Sequence, residues 1–308
     1  MHLPVSTLTT KPPPSLIISS TSLHTFGECP KKYELGYEML LDPTIKSEAM
    51  EKGSDAHGKL EMYWKWVREV RRGNVNAPKP QYDENDPMTA VFSEYLRHRV
   101  VNDGGELEHM REIILVEEPL FVEILPGVLL RVTKDVVYRD DNNWIVVRDY
   151  KTFSKWSNWD MELDYQGRLY IAIVSLAFPN DDVRFEWKKI RSTPPTVPHN
   201  AKGELWPPDE CYDTVELIIN QREIDTVLGE TRAKVRRLIA ARFDKANGDP
   251  YAFNRQEPGW KSGIGSCAQC LYRQLCKLDM QGTLDEQSIA QHATKRKPLT
   301  YEESQVVR

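Results

Sequence analysis

The segment Leu129–Thr152 constrains the fold more than any other part of the chain. It predicts a β-hairpin, because two runs rich in β-branched residues flank a polar turn at residues 140–143. Asp135 lies in the first predicted strand, and Asp149 and Lys151 lie at the end of the second. Since strand side chains alternate between two faces, Asp149 and Lys151 should project from the same face.

These three side chains suit metal-assisted hydrolysis. Carboxylates on neighbouring strands can bind a hard divalent cation such as Mg²⁺ or Mn²⁺. A lysine beside the ion can orient a water molecule and offset charge that develops on a phosphate, which is the chemistry of a metal-dependent nuclease. The alternative is that Asp135 is an edge-strand charge and that Asp149 and Lys151 belong to a solvated strand end. The short Asp-x-Lys pattern taken alone favours this alternative, because it recurs by chance.

Composition limits the class of protein. The chain has 308 residues, of which 40% are hydrophobic and 28% charged, as in soluble globular proteins. It contains no apolar run near the ~20 residues that span a bilayer, and no apolar core of a signal peptide near its start. We therefore expect a cytoplasmic protein with no membrane partner, a disordered leader over residues 1–18 and a polar tail over residues 278–308. A net charge of −5 predicts that any nucleic acid is bound in a local channel.

The spacing of hydrophobic residues predicts both helices and strands around the hairpin. The predicted helices are Glu48–Arg72, Met88–Val101, Asp160–Leu176 and Gln221–Asn247, and the further strands are Ile113–Ile124, Phe185–Ile190 and Thr214–Ile219. On the first helix His57 shares the inward face with Leu60 and Trp64, as either a core histidine or a ligand. On the third, Gln166 and Tyr170 share one face.

The five cysteines do not suggest a secreted disulfide framework. Cys267, Cys270 and Cys276 lie close together in sequence, whereas Cys29 precedes Pro30 at a predicted helix break. This arrangement predicts ligation of a metal or cluster, and thiolate count alone leaves zinc and iron-sulfur open.

Taken in chain order, Gly53-x-x-x-His57, Asp135, Asp149-x-Lys151 and Gln166-x-x-x-Tyr170 resemble the motifs of the PD-(D/E)XK nuclease superfamily in its RecB-like branch. The cysteine spacing is similar to the four-iron four-sulfur site of AddB and of CRISPR-associated RecB-like exonucleases, some of whose relatives are phage-encoded. The resemblance spans residues 19–277, which are expected to form one nuclease domain.

The resemblance implies a role for each matched residue. His57, Asp135, Asp149 and the carbonyl of Tyr150 would bind Mg²⁺ or Mn²⁺, and Lys151 would position the attacking water. Gln166 and Tyr170 would orient DNA and the Lys151 region. The cluster ligands would be Cys29, Cys267, Cys270 and Cys276, with zinc as the alternative metal. The implied fold is an α/β core with a mixed central sheet flanked by helices, and an iron-sulfur-stapled layer of N- and C-terminal helices.

Two positions depart from the pattern. Val132 stands where the family usually has a glycine, which bears on how closely the backbone approaches DNA or metal. Asp149 replaces the commoner glutamate, a change within the pattern. Cys211 has no place in the cluster and is interpreted as a buried cysteine.

We therefore expect an exonuclease that hydrolyses DNA from single-stranded ends in recombination, repair or processing. Trp156 and Trp159 are candidates for base stacking, with loop packing as the alternative. The resemblance implies recombination or CRISPR-type proteins as partners. The alternative functions are an endonuclease or flap nuclease on the same fold, and a non-catalytic DNA-binding subunit that retains a nuclease-like fold.

Overall fold

The computed structural model of the chain describes residues 16–44, 48–101, 105–153, 164–193, 203–205, 207–255, 267 and 270–297. The helices are α1 Ser20–Glu28, α2 Pro30–Tyr33, α3 Glu48–Arg71, α4 Pro87–Tyr95, α5 Tyr165–Ala177, α6 Pro208–Cys211, α7 Gln221–Ala246, α8 Arg273–Met280 and α9 Glu286–His292. The strands are β1 Leu16–Ser19, β2 Leu41–Pro43, β3 Met110–Val116, β4 Pro119–Leu125, β5 Val128–Thr133, β6 Val136–Asp140, β7 Ile145–Phe153, β8 Val183–Arg191, β9 Tyr212–Leu217 and β10 Ala293–Lys295. Single π-helical turns follow α2 and α4, at Glu34–Glu38 and Leu96–Val100.

The largest sheet has five strands in the order β3-β6-β7-β8-β9. Its β7 and β8 are parallel, and the other neighbouring pairs are antiparallel. Helix α5 lies between β7 and β8 in the chain, as the crossover of a parallel pair requires. The predicted mixed α/β fold is therefore confirmed.

The predicted hairpin is only partly correct. Strands β6 and β7 form it, and the Asp140 side chain stabilises the turn by accepting hydrogen bonds from the backbone N–H groups of Asn142 and Trp144, both at 2.9 Å. The expected first strand, however, breaks at residues 134–135. Its first half, β5, belongs to a separate three-stranded sheet in the order β1-β5-β4. Asp135 therefore lies in a bend between two strands and not within one.

The prediction of one strand over Ile113–Ile124 is wrong. The chain forms β3 and then β4, which belong to different sheets. Glu117 lies at the break with φ of +53°, in the left-handed region that a strand does not use. This backbone conformation ends the first strand.

The chain divides into two compact units, whereas one nuclease domain was expected over residues 19–277. The first unit comprises Met1–Ser47, Glu123–Arg131 and Gly229–Val307, and the second comprises Glu48–Val122 and Val132–Leu228. Each unit is thus built from separate stretches of the sequence.

The second unit has its core between α3, α4 and the five-stranded sheet. Trp64 of α3 is fully buried, and Tyr95, Tyr150 and Tyr212 pack with it in one hydrophobic cluster. The inward face that the sequence predicted for α3 is confirmed by the burial of Leu60, Trp64 and Val67.

In the first unit, residues from both ends of the chain pack together. Strand β1 pairs in parallel with residues 128–131 of β5, so residues 16–18, assigned to the leader in the sequence analysis, form part of a strand. Strand β10 pairs with β2, and Ala293 is buried against Leu41 and Leu275. Within the polar tail expected from residue 278, Glu286–His292 thus forms a helix and Ala293–Lys295 a strand.

Helix boundaries match the predictions to within a few residues, with two exceptions. Helix α4 ends at Tyr95 and continues as the π-helical turn Leu96–Val100, and α5 begins at Tyr165, after an N-cap at Asp164. Residues 154–163 lie outside the described residues, and Trp156 and Trp159 are among them.

Candidate active site

Strand β7 carries two of the predicted site residues on one face. Lys151 Nζ lies 2.6 Å from Asp149 Oδ2, as the alternation of strand side chains requires. The side chain of Tyr150 points to the opposite face, where its hydroxyl accepts a hydrogen bond of 2.8 Å from Trp64 Nε1 on α3. The strand end is thereby fixed to the core while the acid and the lysine face away from it.

Asp135 joins three elements through its two carboxylate oxygens. Oδ1 lies 3.0 Å from Nδ1 of His57 on α3, and Oδ2 accepts a hydrogen bond of 2.6 Å from the backbone N–H of Tyr150 on β7. The break between β5 and β6 makes this possible, because a residue at a bend is not tied to the strand alternation. The structure thus brings His57, Asp135 and the Tyr150 peptide together.

The two aspartates have opposite electrostatic environments. Burial would raise the pKa of Asp135, but the hydrogen bond and charge of His57 and the Tyr150 N–H outweigh it and lower that pKa. Burial and the nearby Asp135 charge raise the pKa of Asp149, against the effect of Lys151. A cation between them would favour the ionised form of both.

The side chains of Gln166 and Tyr170 interact with each other on α5. Gln166 Nε2 donates a hydrogen bond of 2.5 Å to the Tyr170 hydroxyl, which confirms that the two share a helix face. The ammonium of Lys134 lies over the Tyr170 ring. Tyr170 therefore lies next to the residue that precedes Asp135.

Sequence analysis missed two residues near these groups, Glu117 and Lys134. Lys134 is buried, and its Nζ has no hydrogen-bond partner among the described residues. Burial lowers its pKa to about 7, against the charges of Asp149 and Asp135. Glu117 directly follows β3 in the structure, whereas the sequence analysis placed it in the interior of a predicted strand. The prediction of one long strand through this position concealed it.

The donor set fits a divalent cation. Among the described residues, only His57, Glu117 and Asp135 form a group of three potential ligands whose donor atoms all lie within 4.8 Å of one another. Asp149 Oδ2 is buried and accepts no well-directed hydrogen bond, although Lys151 Nζ lies close by. Carboxylate oxygens suit both Mg²⁺ and Mn²⁺, and the imidazole adds a nitrogen donor of the kind that transition metals accept.

The four cysteines of the expected cluster all lie in the first unit. Burial raises the pKa of Cys270, and the nearby Cys29 and Cys267 act in the same direction. Arg255 Nε donates a hydrogen bond of 3.3 Å to Cys276 Sγ. Within the described part of the chain no cysteine belongs to a group of three ligands as tight as that of His57, so the sulfurs are not gathered around a single-ion site. Cys211 is fully buried in the second unit, as predicted from the sequence.

A mixed α/β fold that gathers strand-end carboxylates, a lysine and a histidine is characteristic of a class of nucleases. The sequence profile of the PD-(D/E)XK nuclease superfamily matches residues 17–277, and the chain belongs to this superfamily.

Two solved structures are similar to the chain. One is a protein from Eubacterium rectale described as a "Putative exonuclease", with 14% identity over 76% of this chain and 82% of that chain, and a TM-score of 0.44. The other is SSO0001, with 12% identity over 70% of this chain and 74% of that chain, and a TM-score of 0.30. No curated protein matches the sequence. Among the described helices, none is long and apolar enough to cross a membrane.

Proposed function

We propose that the chain is a Mg²⁺- or Mn²⁺-dependent exonuclease of the RecB-like branch, which hydrolyses DNA from single-stranded ends. The observation that carries the proposal is the arrangement of Asp135 between His57 and the Tyr150 peptide, with the Asp149–Lys151 pair on the adjoining strand end. Because the chain belongs to a superfamily of nucleases, we favour hydrolysis of a phosphodiester over DNA binding without cleavage.

His57, Asp135, Asp149 and the carbonyl of Tyr150 would bind the cation. When bound, the cation would supply Lewis-acid stabilisation of the phosphate and lower the pKa of a bound water. Lys151 would orient the attacking water and offset negative charge at phosphorus, because its ammonium is held beside Asp149. Water adds to phosphorus as one ester P–O bond breaks, and the departing oxygen takes up a proton.

Gln166 and Tyr170 would position the substrate or the Lys151 region. Their mutual hydrogen bond fixes both side chains before DNA arrives, which lowers the entropy lost on binding. The net charge of −5 supports a narrow local groove over a broad basic surface. Such a groove admits a single strand more easily than a duplex, and this consideration supports the preference for single-stranded ends.

We also propose that Cys29, Cys267, Cys270 and Cys276 hold a four-iron four-sulfur cluster in the first unit. The contribution of Cys29 and Cys267 to the raised pKa of Cys270 supports the proximity of these three residues. A cluster presents its thiolates at separate corners and needs them farther apart than one ion does. Four thiolates suit such a cluster as well as a single zinc ion, and the similarity of the cysteine spacing to iron-sulfur nucleases favours the cluster.

Digestion of end-labelled linear and covalently closed circular single-stranded DNA tests the function. We expect linear strands to be degraded with Mg²⁺ or Mn²⁺, circles to resist, and cleavage to be lost with a chelator or in Asp149→Asn. Asp213→Asn is the matched control, since Asp213 lies 3.7 Å from Lys189 in the same sheet and should keep full activity. Equal digestion of circles and linear strands would replace the exonuclease with an endonuclease. Absence of cleavage with every metal and DNA form would refute both.

A further inference from the structure

We propose that Glu117 is a further ligand of the active-site cation, supplied by the turn between β3 and β4. This inference rests on the proposed metal-dependent function and extends it, because neither the Asp-x-Lys motif nor the other matched positions include Glu117. The inference assigns a role to a residue that the hydrophobic pattern placed inside a strand.

The backbone holds Glu117 against the bend that carries Asp135. Its N–H lies in hydrogen-bonding contact with two carbonyl oxygens, that of Lys134 at 3.0 Å and that of Asp135 at 3.1 Å. With φ of +53°, the chain turns at Glu117 instead of continuing along β3. The carboxylate and the Asp135 carboxylate are thus anchored to each other through the main chain, and both lie in the second unit.

The dimensions of the group fit one ion. The donor atoms of His57, Glu117 and Asp135 all lie within 4.8 Å of one another. Opposite oxygen ligands of an octahedral Mg²⁺ lie about 4.2 Å apart, twice the bond length of about 2.1 Å. Small side-chain shifts would therefore close the three donors around a cation, with no change in the backbone.

The carboxylates of Glu117 and Asp135 lie side by side, an arrangement that a bound cation would stabilise. Within the described ranges Glu117 forms no ion pair with a lysine or arginine, although it lies beside the carboxylate of Asp135. Lys151 lies against Asp149, and Lys134 lies over the Tyr170 ring. The adjacent Glu118, in contrast, pairs with Arg68 at 2.9 Å. Of these two neighbouring glutamates, only Glu118 forms an ion pair with a lysine or arginine of the described residues.

An independent observation points to the same ion. Asp149 is 5% exposed, and its Oδ2 accepts no well-directed hydrogen bond. The Lys151 ammonium, 2.6 Å away, balances the charge of this oxygen, and the oxygen keeps lone-pair capacity for a cation. With Glu117 included, the cation would have carboxylates on two sides and an imidazole on a third. An imidazole ligand favours Mn²⁺ over Mg²⁺, so we expect tighter binding of Mn²⁺.

Binding of Mn²⁺ to the full chain without DNA tests the proposal, with free Mn²⁺ measured by electron paramagnetic resonance. We expect Glu117→Gln to raise the Mn²⁺ Kd about tenfold or more, since it removes a charged ligand. Glu118→Gln is the matched control and should leave Kd within about twofold, because that carboxylate pairs with Arg68. Glu117→Asp keeps the charge on a shorter side chain and should give an intermediate Kd. Circular dichroism verifies that each variant is folded, and Glu117→Asp carries the test if Glu117→Gln does not fold.

Three outcomes separate this inference from the proposed function. An unchanged Mn²⁺ Kd in both Glu117 variants would show that Glu117 only hydrogen-bonds to Asp135, and the inference would be wrong even if DNA is cleaved. A weaker Mn²⁺ affinity in Glu117→Gln supports the inference. If that weaker affinity accompanied a wild-type chain that cleaves no DNA, Glu117 would remain a metal ligand and only the proposed nuclease function would fail.

Discussion

Asp135 shows how a single side chain can be fixed by elements far apart in sequence. Its carboxylate contacts His57 of α3 on one oxygen and the Tyr150 peptide of β7 on the other. Rotation about its side-chain bonds would break one of these contacts, so the carboxylate keeps one orientation before any metal binds. A carboxylate fixed in this way lowers a reaction barrier more than one on a mobile side chain, because it needs little reorganisation during the reaction.

At this scale we expect Lys151→Ala to reduce DNA cleavage at least about a hundredfold, because it removes the cation that orients water and offsets charge. The fold should persist, since the Lys151 side chain is one-third exposed and lies at a strand end. Lys189→Ala is the control, since Lys189 is the β8 residue in register with Lys151 and lies 3.7 Å from Asp213. Single-turnover rates with saturating Mn²⁺ measure the effect. Wild-type rates in Lys151→Ala would contradict the assigned role.

The residues of the site were predictable to different degrees. His57, Asp149 and Lys151 stood out because helical and strand periodicities give each a definite direction. Asp135 was identified as an acid, but its bend was not, because no glycine or proline marks residues 134–135. Glu117 was missed for a related reason: a left-handed glutamate is rare, and nothing in the local sequence signals it. Tertiary contacts determine both conformations.

At the scale of elements, the close approach of α5 to β8 depends on a glycine. A Cβ atom on Gly167 would lie 2.7 Å from Trp187 Cζ2 and 3.3 Å from a methyl carbon of Leu217. Trp187 is fully buried. The absence of a side chain at Gly167 therefore allows the helix that carries Gln166 and Tyr170 to pack this close to the sheet.

We expect Gly167→Ala to destabilise the protein by about 1–2 kcal/mol, because the overpacking outweighs the gain in helix propensity. Gly229→Ala is the matched change in α7, where an added Cβ meets no atom of the described residues within 4 Å. It should raise the free energy of unfolding by up to about 1 kcal/mol. Urea denaturation of both variants gives the comparison. Two changes of the same sign would show that the contact with Trp187 is not limiting.

The opposite face of the same sheet contains a buried charged network. Arg148 Nη2 lies 2.9 Å from Glu186 Oε2, and both side chains are almost fully buried. Burial opposes the ionisation of Glu186, but the charges of Arg148 and Lys188 outweigh it and lower its pKa to about 2. Arg148 also contacts the Tyr150 hydroxyl, so this network supports the strand that carries Asp149 and Lys151.

We expect Glu186→Gln to lower the free energy of unfolding by about 3–5 kcal/mol near neutral pH, because the buried Arg148 and Lys188 then share Glu106 as their carboxylate partner. Since the folded pKa of Glu186 is below its ordinary value of 4.5, its charge stabilises the fold above pH 4.5. This contribution is lost as the pH falls through about 2. The difference between wild type and variant should therefore shrink below pH 4.5.

Urea denaturation at a series of pH values measures this difference. Glu216→Gln removes the half-exposed partner of Arg184 and should change stability by less than about 1 kcal/mol at every pH. A Glu186→Gln effect that does not vary with pH would refute the electrostatic account.

At the scale of the whole molecule, each unit combines stretches that are distant in sequence. The first unit contains both terminal regions and all four proposed cluster ligands. Helical and strand periodicity could predict the separate elements, but not this division, because periodicity carries no information on which distant stretches pair. The pairings of β1 with β5 and of β2 with β10 are examples.

We expect the protein purified without oxygen to be brown, with visible absorption that is lost in Cys29→Ala, Cys267→Ala, Cys270→Ala and Cys276→Ala. Cys211→Ala should keep the colour, because Cys211 lies in the other unit. Loss of the cluster should also lower the unfolding temperature, since binding free energy contributes to folding. Absorption spectra with iron and zinc analysis measure the outcome. A colourless protein with stoichiometric zinc would replace the cluster with a zinc site.

The pairing of β10 with β2 also bears on the order in which the protein matures on the ribosome. All of Glu48–Val122 and Val132–Leu228 has been synthesised once residue 228 is made, so the unit with the proposed active site can fold while the remainder is still being translated. Leu41–Pro43 must wait for Ala293–Lys295, about 250 residues later. During that interval Cys29 is exposed to the cell without the partners contributed by residues 267–276. Insertion of a cluster would thus be among the last steps of maturation, and a nascent chain stalled before residue 267 could not acquire it.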